Sequence, residues 1–413
     1  MTKHKTARTV FVGSLILFAF AILLASAPKA STNPPVTWPT QGWPKGTPSS
    51  VGLDEATLAS FDADVASGKY MLVYSFQVFR CGKEVFSRKY PHDYRQIYGK
   101  EAKTRGTLNA RLTGRYNYFD PAWHPYYHGT EMHTLQSVSK TVTSVIFGVA
   151  TTRGDFKAGR DTPVLKYFDL AKVKNVDDRK RRMTLRDVLT MTSGLSWHEL
   201  DIQDIKDQRN DMTRMEASDD WVQFVIDKPM AEEPGKVWVY SSGDAELLAH
   251  IFQKETGQDI EAYGEKYLFA PLGMKYHWKR NYVDMVDTEG GVYLSGEDLA
   301  KIGYLYLQNG VWDGKQVVSK DWVTESITPH IAASYGTGED FQYGFKWWLY
   351  PLHGKFVWLA WGFGGQKLMV FPEEKLIVVF TGWEILKDDA APKDLVNRLL
   401  PAVRQPACTA TMQ

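Results

Sequence analysis

Cysteine is nearly absent from this 413-residue chain, which carries two, Cys81 and Cys408. Two cysteines exclude a disulfide-dense scaffold and a cysteine-rich zinc site. Whether they pair with each other stays open at this level. An excess of charge of one sign is also missing, with 49 Lys and Arg against 48 Asp and Glu and a net charge of +1. The one compact basic cluster, Arg179-Lys180-Arg181-Arg182, is followed by a helical pattern and reads as a solvated helix start. No nucleic-acid partner is expected. The chain has no Gly-x-Ser-x-Gly elbow, which disfavours an α/β-hydrolase. Walker A and dinucleotide glycine patterns are missing too, so no cofactor is expected. His124, His128 and His133 lie close in sequence, but Pro125 breaks a helical pairing of the first two, and no metal is expected.

Long apolar runs are lacking everywhere except at the start. There Lys3, Lys5 and Arg8 precede an apolar run from Val10 to Leu24, and Ala25-Ser26-Ala27 follows it. This is the pattern of a secretory signal. The run is shorter than the ~20 residues of a comfortable spanning helix. The expectation is therefore an exported protein, periplasmic or secreted. A membrane anchor is the alternative if the segment is not cleaved. Hydrophobic residues make up 44% of the chain, enough for a large core.

The spacing organises the rest. Residues 28–50 read as a linker. Leu53, Leu58, Phe61 and Val65 have helical spacing, and Met71–Phe79 and Glu84–Arg88 read as strands around a turn at Cys81-Gly82-Lys83. Residues 90–133 are polar and aromatic without a regular period, and read as a lid or an elaborated loop beside a site. Ser137 to Thr152 is apolar on most faces, so that helix should be buried. Leu185–Met191, Trp221–Ile226, Glu246–Thr256 and Leu299–Leu307 carry helical spacing, with a short strand expected at Val237–Val239. Phe356–Ala360, Lys367–Phe371 and Leu376–Thr381 read as strands, and Lys393–Val403 as a closing helix. Strands at both ends with helices between them predict an α+β fold. Its antiparallel sheet domain would combine residues 51–153 and 281–405. Residues 154–280 would form a mostly helical inserted domain and 406–413 a tail.

Three stretches could carry chemistry. In Ser137-Val138-Ser139-Lys140, positions i and i+3 share a helix face, so the lysine nitrogen can return to the serine oxygen. Burial favours the neutral amine, which can take the serine proton. Tyr240, in Tyr240-Ser241-Ser242-Gly243-Asp244, sits on a loop before a buried helix and can pass protons. Ala360-Trp361-Gly362-Phe363-Gly364-Gly365-Gln366 opens a strand with glycines that let a backbone approach a ligand. An N–H there can complete an oxyanion hole.

In this order the three motifs resemble the serine β-lactamase superfamily. The similarity is to its class C and penicillin-binding-protein-like branch, with family VIII esterases and 6-aminohexanoate-dimer hydrolases. Leu185–Leu195, Gly290-Gly291-Val292-Tyr293-Leu294-Ser295 and Val370-Phe371-Pro372-Glu373 add to the likeness. The resemblance implies a β-lactamase-like fold and an acyl-enzyme on Ser137, with Lys140 and Tyr240 relaying protons. It implies an oxyanion hole from the N–H groups of Ser137 and Phe363, and a substrate side formed by Ser242, Trp361 and Gly362. The expected substrate is a small ester or amide. Two departures count against a β-lactam or peptidoglycan substrate. Ser242 stands where β-lactamases have Asn, and Ala360 stands where the family has a cation or imidazole. A non-catalytic binder of the same fold is the remaining alternative.

Overall fold

The computed structural model describes residues 1–2, 38–70, 72–109, 113–200, 209–334, 340–387, 390–404 and 408. The chain divides into Met1–Pro35 and Val36–Gln413, and the second unit holds the secondary structure described below. The apolar run Val10–Leu24 lies outside the described residues. Among the described residues no helix is long and apolar enough to cross a membrane.

The strands in chain order are β1 Val73–Arg80, β2 Lys83–Lys89, β3 His133–Thr134, β4 Tyr276–Trp278, β5 Val292–Leu294, β6 Val311–Trp312 and β7 Lys315–Gln316. They continue with β8 Ile331–Ala333, β9 Phe341–Tyr343, β10 Trp348–Leu352, β11 Lys355–Gly362, β12 Gln366–Phe371 and β13 Leu376–Gly382. The helices are α1 Glu55–Ala66, α2 Tyr94–Ile97, α3 Val138–Arg153, α4 Asp178–Arg182, α5 Leu185–Leu189 and α6 Asp211–Glu216. After them come α7 Trp221–Ile226, α8 Ser242–Thr256, α9 Ile260–Gly264, α10 Gly296–Leu307, α11 Lys320–Ser326 and α12 Pro392–Leu399.

The expected α+β fold with an antiparallel sheet is borne out. Eight strands form one sheet in the order β2-β1-β13-β12-β11-β10-β9-β8. The N-terminal β1 pairs antiparallel with the C-terminal β13, so distant segments build one layer. Side chains alternate across it, as the period of two requires. Phe76, Val78, Met369 and Phe371 face Leu58, Phe61 and Val65 of α1 and Leu395 and Leu399 of α12. Leu368, Val370, Ile377 and Val379 face the opposite layer, to which α3 and α10 belong. Helix α3 is buried at every residue from Val138 to Ala150.

Several local readings need correction. Val237–Val239 forms no strand. The chain runs from the Pro234-Gly235 turn directly into the cap of α8, and Val239 finds one backbone acceptor, Met191 O, at 2.9 Å. Strands β8 to β10 lie in a stretch where no period was read. In the basic cluster, Lys180 is buried rather than solvated, because its Nζ donates to the carbonyls of Lys174, Ile226 and Lys228 at 2.6–3.0 Å. The closing helix ends at Leu399, ahead of a tight turn containing Pro401. The open question about the cysteines is answered: Cys81 and Cys408 form a disulfide, with Cα atoms 5.7 Å apart across 327 residues of sequence.

Candidate active site

Ser137 is the residue before α3. Gln136, just ahead of it, has φ 49°, a left-handed conformation that bends the chain sharply between β3 and the helix. Within the helix, Ser139 Oγ accepts from Val292 N at 2.9 Å and ties α3 to β5. One turn along, Lys140 is 1% exposed, and its Nζ donates to Ser137 Oγ at 2.9 Å. The same nitrogen donates to Glu289 O at 2.7 Å and lies 3.9 Å from the Glu289 carboxylate. Both nitrogen-to-oxygen contacts have ordinary hydrogen-bond length.

Tyr240 arrives from the loop that Ser241 caps into α8, where the Ser241 hydroxyl accepts from Asp244 N at 3.0 Å. The Tyr240 ring lies 5.2 Å from Lys140 Nζ, and its hydroxyl is close enough to the Ser137 side chain to interact with it electrostatically. Burial pushes the phenol well above its usual value, the nearby Glu199 carboxylate pushes it further, and the Ser137 side chain opposes the rise. The resting tyrosine therefore keeps its proton. Trp348 stacks on the Tyr240 ring at 5.9 Å, and Trp361 packs on Trp348 at 5.9 Å.

The third stretch closes the site through backbone. A Cβ on Gly362 would come within 2.2 Å of Leu135 O, so only glycine lets the end of β11 pass this close to the segment carrying Ser137. Gly364 follows at φ 83°. The N–H groups of Ser137 and Phe363 have no backbone acceptor among the described residues. Tyr118, from the irregular segment, meets Phe363 edge-on at 6.1 Å. Part of that segment is packed: Tyr118 and His124 stack nearly parallel with Trp383, and Tyr98 Oη donates to Trp383 O at 2.7 Å.

The other site residues of the sequence reading are placed as follows. Ser242 is fully buried and its hydroxyl donates to Glu199 Oε1 at 2.8 Å, so it presents no group to a substrate here. Trp361 is 8% exposed within an aromatic cluster. Ala360 lies in the cluster that contains much of α3, and supplies no charge there.

Five acidic or basic groups near this site were given no role by the sequence. Glu199 holds the Ser242 N–H and hydroxyl and the Trp197 indole. Glu289 sits beside Lys140, and burial raises its carboxyl, with Asp287 adding to the rise and Lys140 opposing it. Its backbone is fixed by Glu246, whose carboxylate accepts from the N–H groups of Thr288 and Glu289 at 2.8 and 2.9 Å. Lys346 and Asp244 are also buried. The nearest signals were Gly290-Gly291 beside Glu289 and Gly243 beside Asp244, neither of which specifies an acid. Among the described residues no three His, Cys, Asp or Glu side chains are arranged to hold a metal ion.

Comparison with known proteins places this geometry. The family model for beta-lactamase matches residues 74–384. Monacolin J acid methylbutanoyltransferase of Aspergillus terreus is 30% identical over 115 residues, 27% of this chain and 27% of the transferase. The 6-aminohexanoate-dimer hydrolase of Paenarthrobacter ureafaciens is 25% identical over 264 residues, 55% of this chain and 63% of the hydrolase. The chain thus spans less than two thirds of either relative. Among solved structures, EstCE1, described as a hydrolase with promiscuous acyltransferase activity, superposes with a TM-score of 0.61 at 13% identity. The match covers 87% of this chain and 99% of EstCE1. With the family match spanning most of the sheet, the buried helix and the glycine strand, the chain belongs to the beta-lactamase family, a family of serine hydrolases and acyltransferases.

Proposed function

We propose that this protein is an exported serine hydrolase that cleaves an ester or amide through an acyl-enzyme on Ser137. The observation that carries the reading is the buried Lys140 Nζ at 2.9 Å from Ser137 Oγ, with the Tyr240 ring 5.2 Å from the same nitrogen. Lys140 in its neutral form takes the Ser137 proton as Oγ bonds to the substrate carbonyl carbon. Tyr240 passes a proton to the departing oxygen or nitrogen as the old bond breaks. Water then adds to the acyl carbon, gives its proton to the same relay, and releases the acid and free Ser137. The N–H groups of Ser137 and Phe363 would receive the negative oxygen of each tetrahedral intermediate. The aromatic wall of Trp348 and Trp361 suits an apolar acyl or leaving group.

Ala360 and the turned-away Ser242 favour this reading over β-lactam hydrolysis, since neither offers a contact to the carboxylate or amide of such a substrate. Export is supported by the basic and apolar N-terminal pattern together with the Cys81–Cys408 disulfide, a bond that persists in oxidising compartments. Acyl transfer to an alcohol is a second reading, supported by the transferase named above.

Purified protein offered p-nitrophenyl esters, nitrocefin and D-amino-acid amides decides among these. We expect ester turnover that Ser137→Ala lowers by a factor on the order of 10³ or more. Turnover that survives Ser137→Ala would sink the proposal. Nitrocefin turnover matching the ester rate would move it to the β-lactamase reading. An added alcohol that captures most of the acyl group would move it to transfer.

A further inference from the structure

Lys346 occupies the turn between β9 and β10 and is 1% exposed. Its Nζ has no hydrogen-bond partner among the described residues. Asp244, at the first turn of α8, is 0% exposed. It lies beside the hydroxyls of Ser193 and Ser241, yet neither carboxylate oxygen makes a hydrogen bond of good geometry. The two groups are not hydrogen-bonded to each other among the described residues. A buried lysine serving only as a structural tie would look like Lys180, whose Nζ is saturated by three carbonyls. Lys346 differs, because its backbone does the tying. Its N–H donates to Leu189 O at 3.2 Å, and its carbonyl accepts from Thr141 Oγ1 at 2.6 Å. Thr141 is the residue after Lys140. Leaving a buried ammonium unsaturated is costly, which sets Lys346 apart from a lysine kept as a structural tie.

We propose that Lys346 is a positioning residue for the Ser137 reaction: its buried charge, set near Asp244 without direct contact, sets the electrostatic potential in which Lys140 and Tyr240 exchange the Ser137 proton. It would act in place of the cation that Ala360 does not provide. The inference rests on the hydrolase reading for its chemistry, but concerns only the activation of Ser137.

The charged groups facing Lys346 are Asp244 from α8, Lys140 from α3 and Glu199. Asp244 is faced in addition by Asp187 from α5 and by Tyr343 from β9. Burial lowers Lys346, with Asp244 opposing and Lys140 adding to the fall, to about 7. Burial raises Asp244, with Lys346 opposing, also to about 7. Below neutrality both groups hold their protons and the pair is positive. Above neutrality both have lost them and the pair is negative. The positive pair favours an anionic Ser137 oxygen, and the negative pair opposes it. Activation of Ser137 should therefore fall on the alkaline side as Lys346 loses its proton.

The test is the rate at which a fluorophosphonate probe labels Ser137 in the full-length protein, followed from roughly pH 5 to roughly pH 10 on either side of these shifts. Each variant's melting temperature is measured alongside. Lys346→Arg keeps its charge at high pH and should move the alkaline limb up by about one unit or more. Lys346→Met should label on the order of 10-fold to 100-fold more slowly and lose the limb. The double variant Lys346→Met with Asp244→Asn removes both charges, should melt near wild type, and should still label slowly. A double variant that labels at the wild-type rate with the wild-type profile would show the pair to be structural and overturn the proposal. So would a Lys346→Arg protein whose alkaline limb has not moved. If wild type reacts with the probe but hydrolyses no ester or amide, the hydrolase reading fails, and the labelling series still decides the role of Lys346.

Discussion

Helices α3 and α10 pack on the same face of the large sheet, and each begins at a serine, with opposite outcomes. Ser295 caps α10: its hydroxyl accepts from Asp298 N at 3.1 Å and satisfies a free N–H of the first turn. Ser137 makes no cap hydrogen bond to α3. Its oxygen accepts instead from Lys140 Nζ at 2.9 Å. The difference shows which helix is held by its ends and which by its surroundings. Helix α3 forgoes the cap because its whole length from Val138 to Ala150 is packed among other elements. That burial leaves the first residue free for chemistry.

The comparison can be broken at three places, in decreasing order of effect. Leu299 of α10 is fully buried against the sheet. Leu299→Ala should cost about 2–5 kcal/mol in urea unfolding while leaving probe labelling of Ser137 unchanged. Labelling lost in step with stability would mean that the site depends on α10 as much as on α3. Next, both helices approach their neighbours through a glycine. A Cβ on Gly148 of α3 would stand 2.5 Å from Trp322 Cδ1, and one on Gly303 of α10 would stand 2.9 Å from Val370 Cγ2. Gly148→Ala should destabilise by about 1–3 kcal/mol, and Gly303→Ala by less. The reverse order would show that α10 is the more tightly confined helix. The smallest effect is at the caps. Ser295→Ala should cost about 1 kcal/mol. Ser137→Ala, which removes no cap, should change stability by less than about 0.5 kcal/mol. Equal losses at the two serines would remove the distinction drawn here.

Much of the architecture was readable because it is local. Leu58, Phe61 and Val65 at helical spacing, and the alternation in β12 and β13, place side chains on one face whatever the partner. Ser137 and Lys140 meet because three residues apart on a helix is a fixed geometry. The same rule could not place Val237–Val239, since a strand exists only where a neighbour offers a ladder. It read Lys180 as solvated because a lysine's burial depends on carbonyls 46 and 48 residues away. Ser242 occupies a substrate position in the motif but turns towards Glu199, a partner 43 residues distant.

By itself the chain determined an α+β fold, a buried helix headed by a serine and lysine on one face, a tyrosine loop and a glycine strand. Each follows from spacing along a few consecutive residues. Tertiary structure alone decided that Glu289 receives the Lys140 hydrogen bond across 149 residues and that Cys81 bonds Cys408. It also decided that Lys346 and Asp244 are buried. Those outcomes depend on which surfaces meet once the core closes, and on the loss of water that turns ordinary side chains into groups with shifted proton affinity.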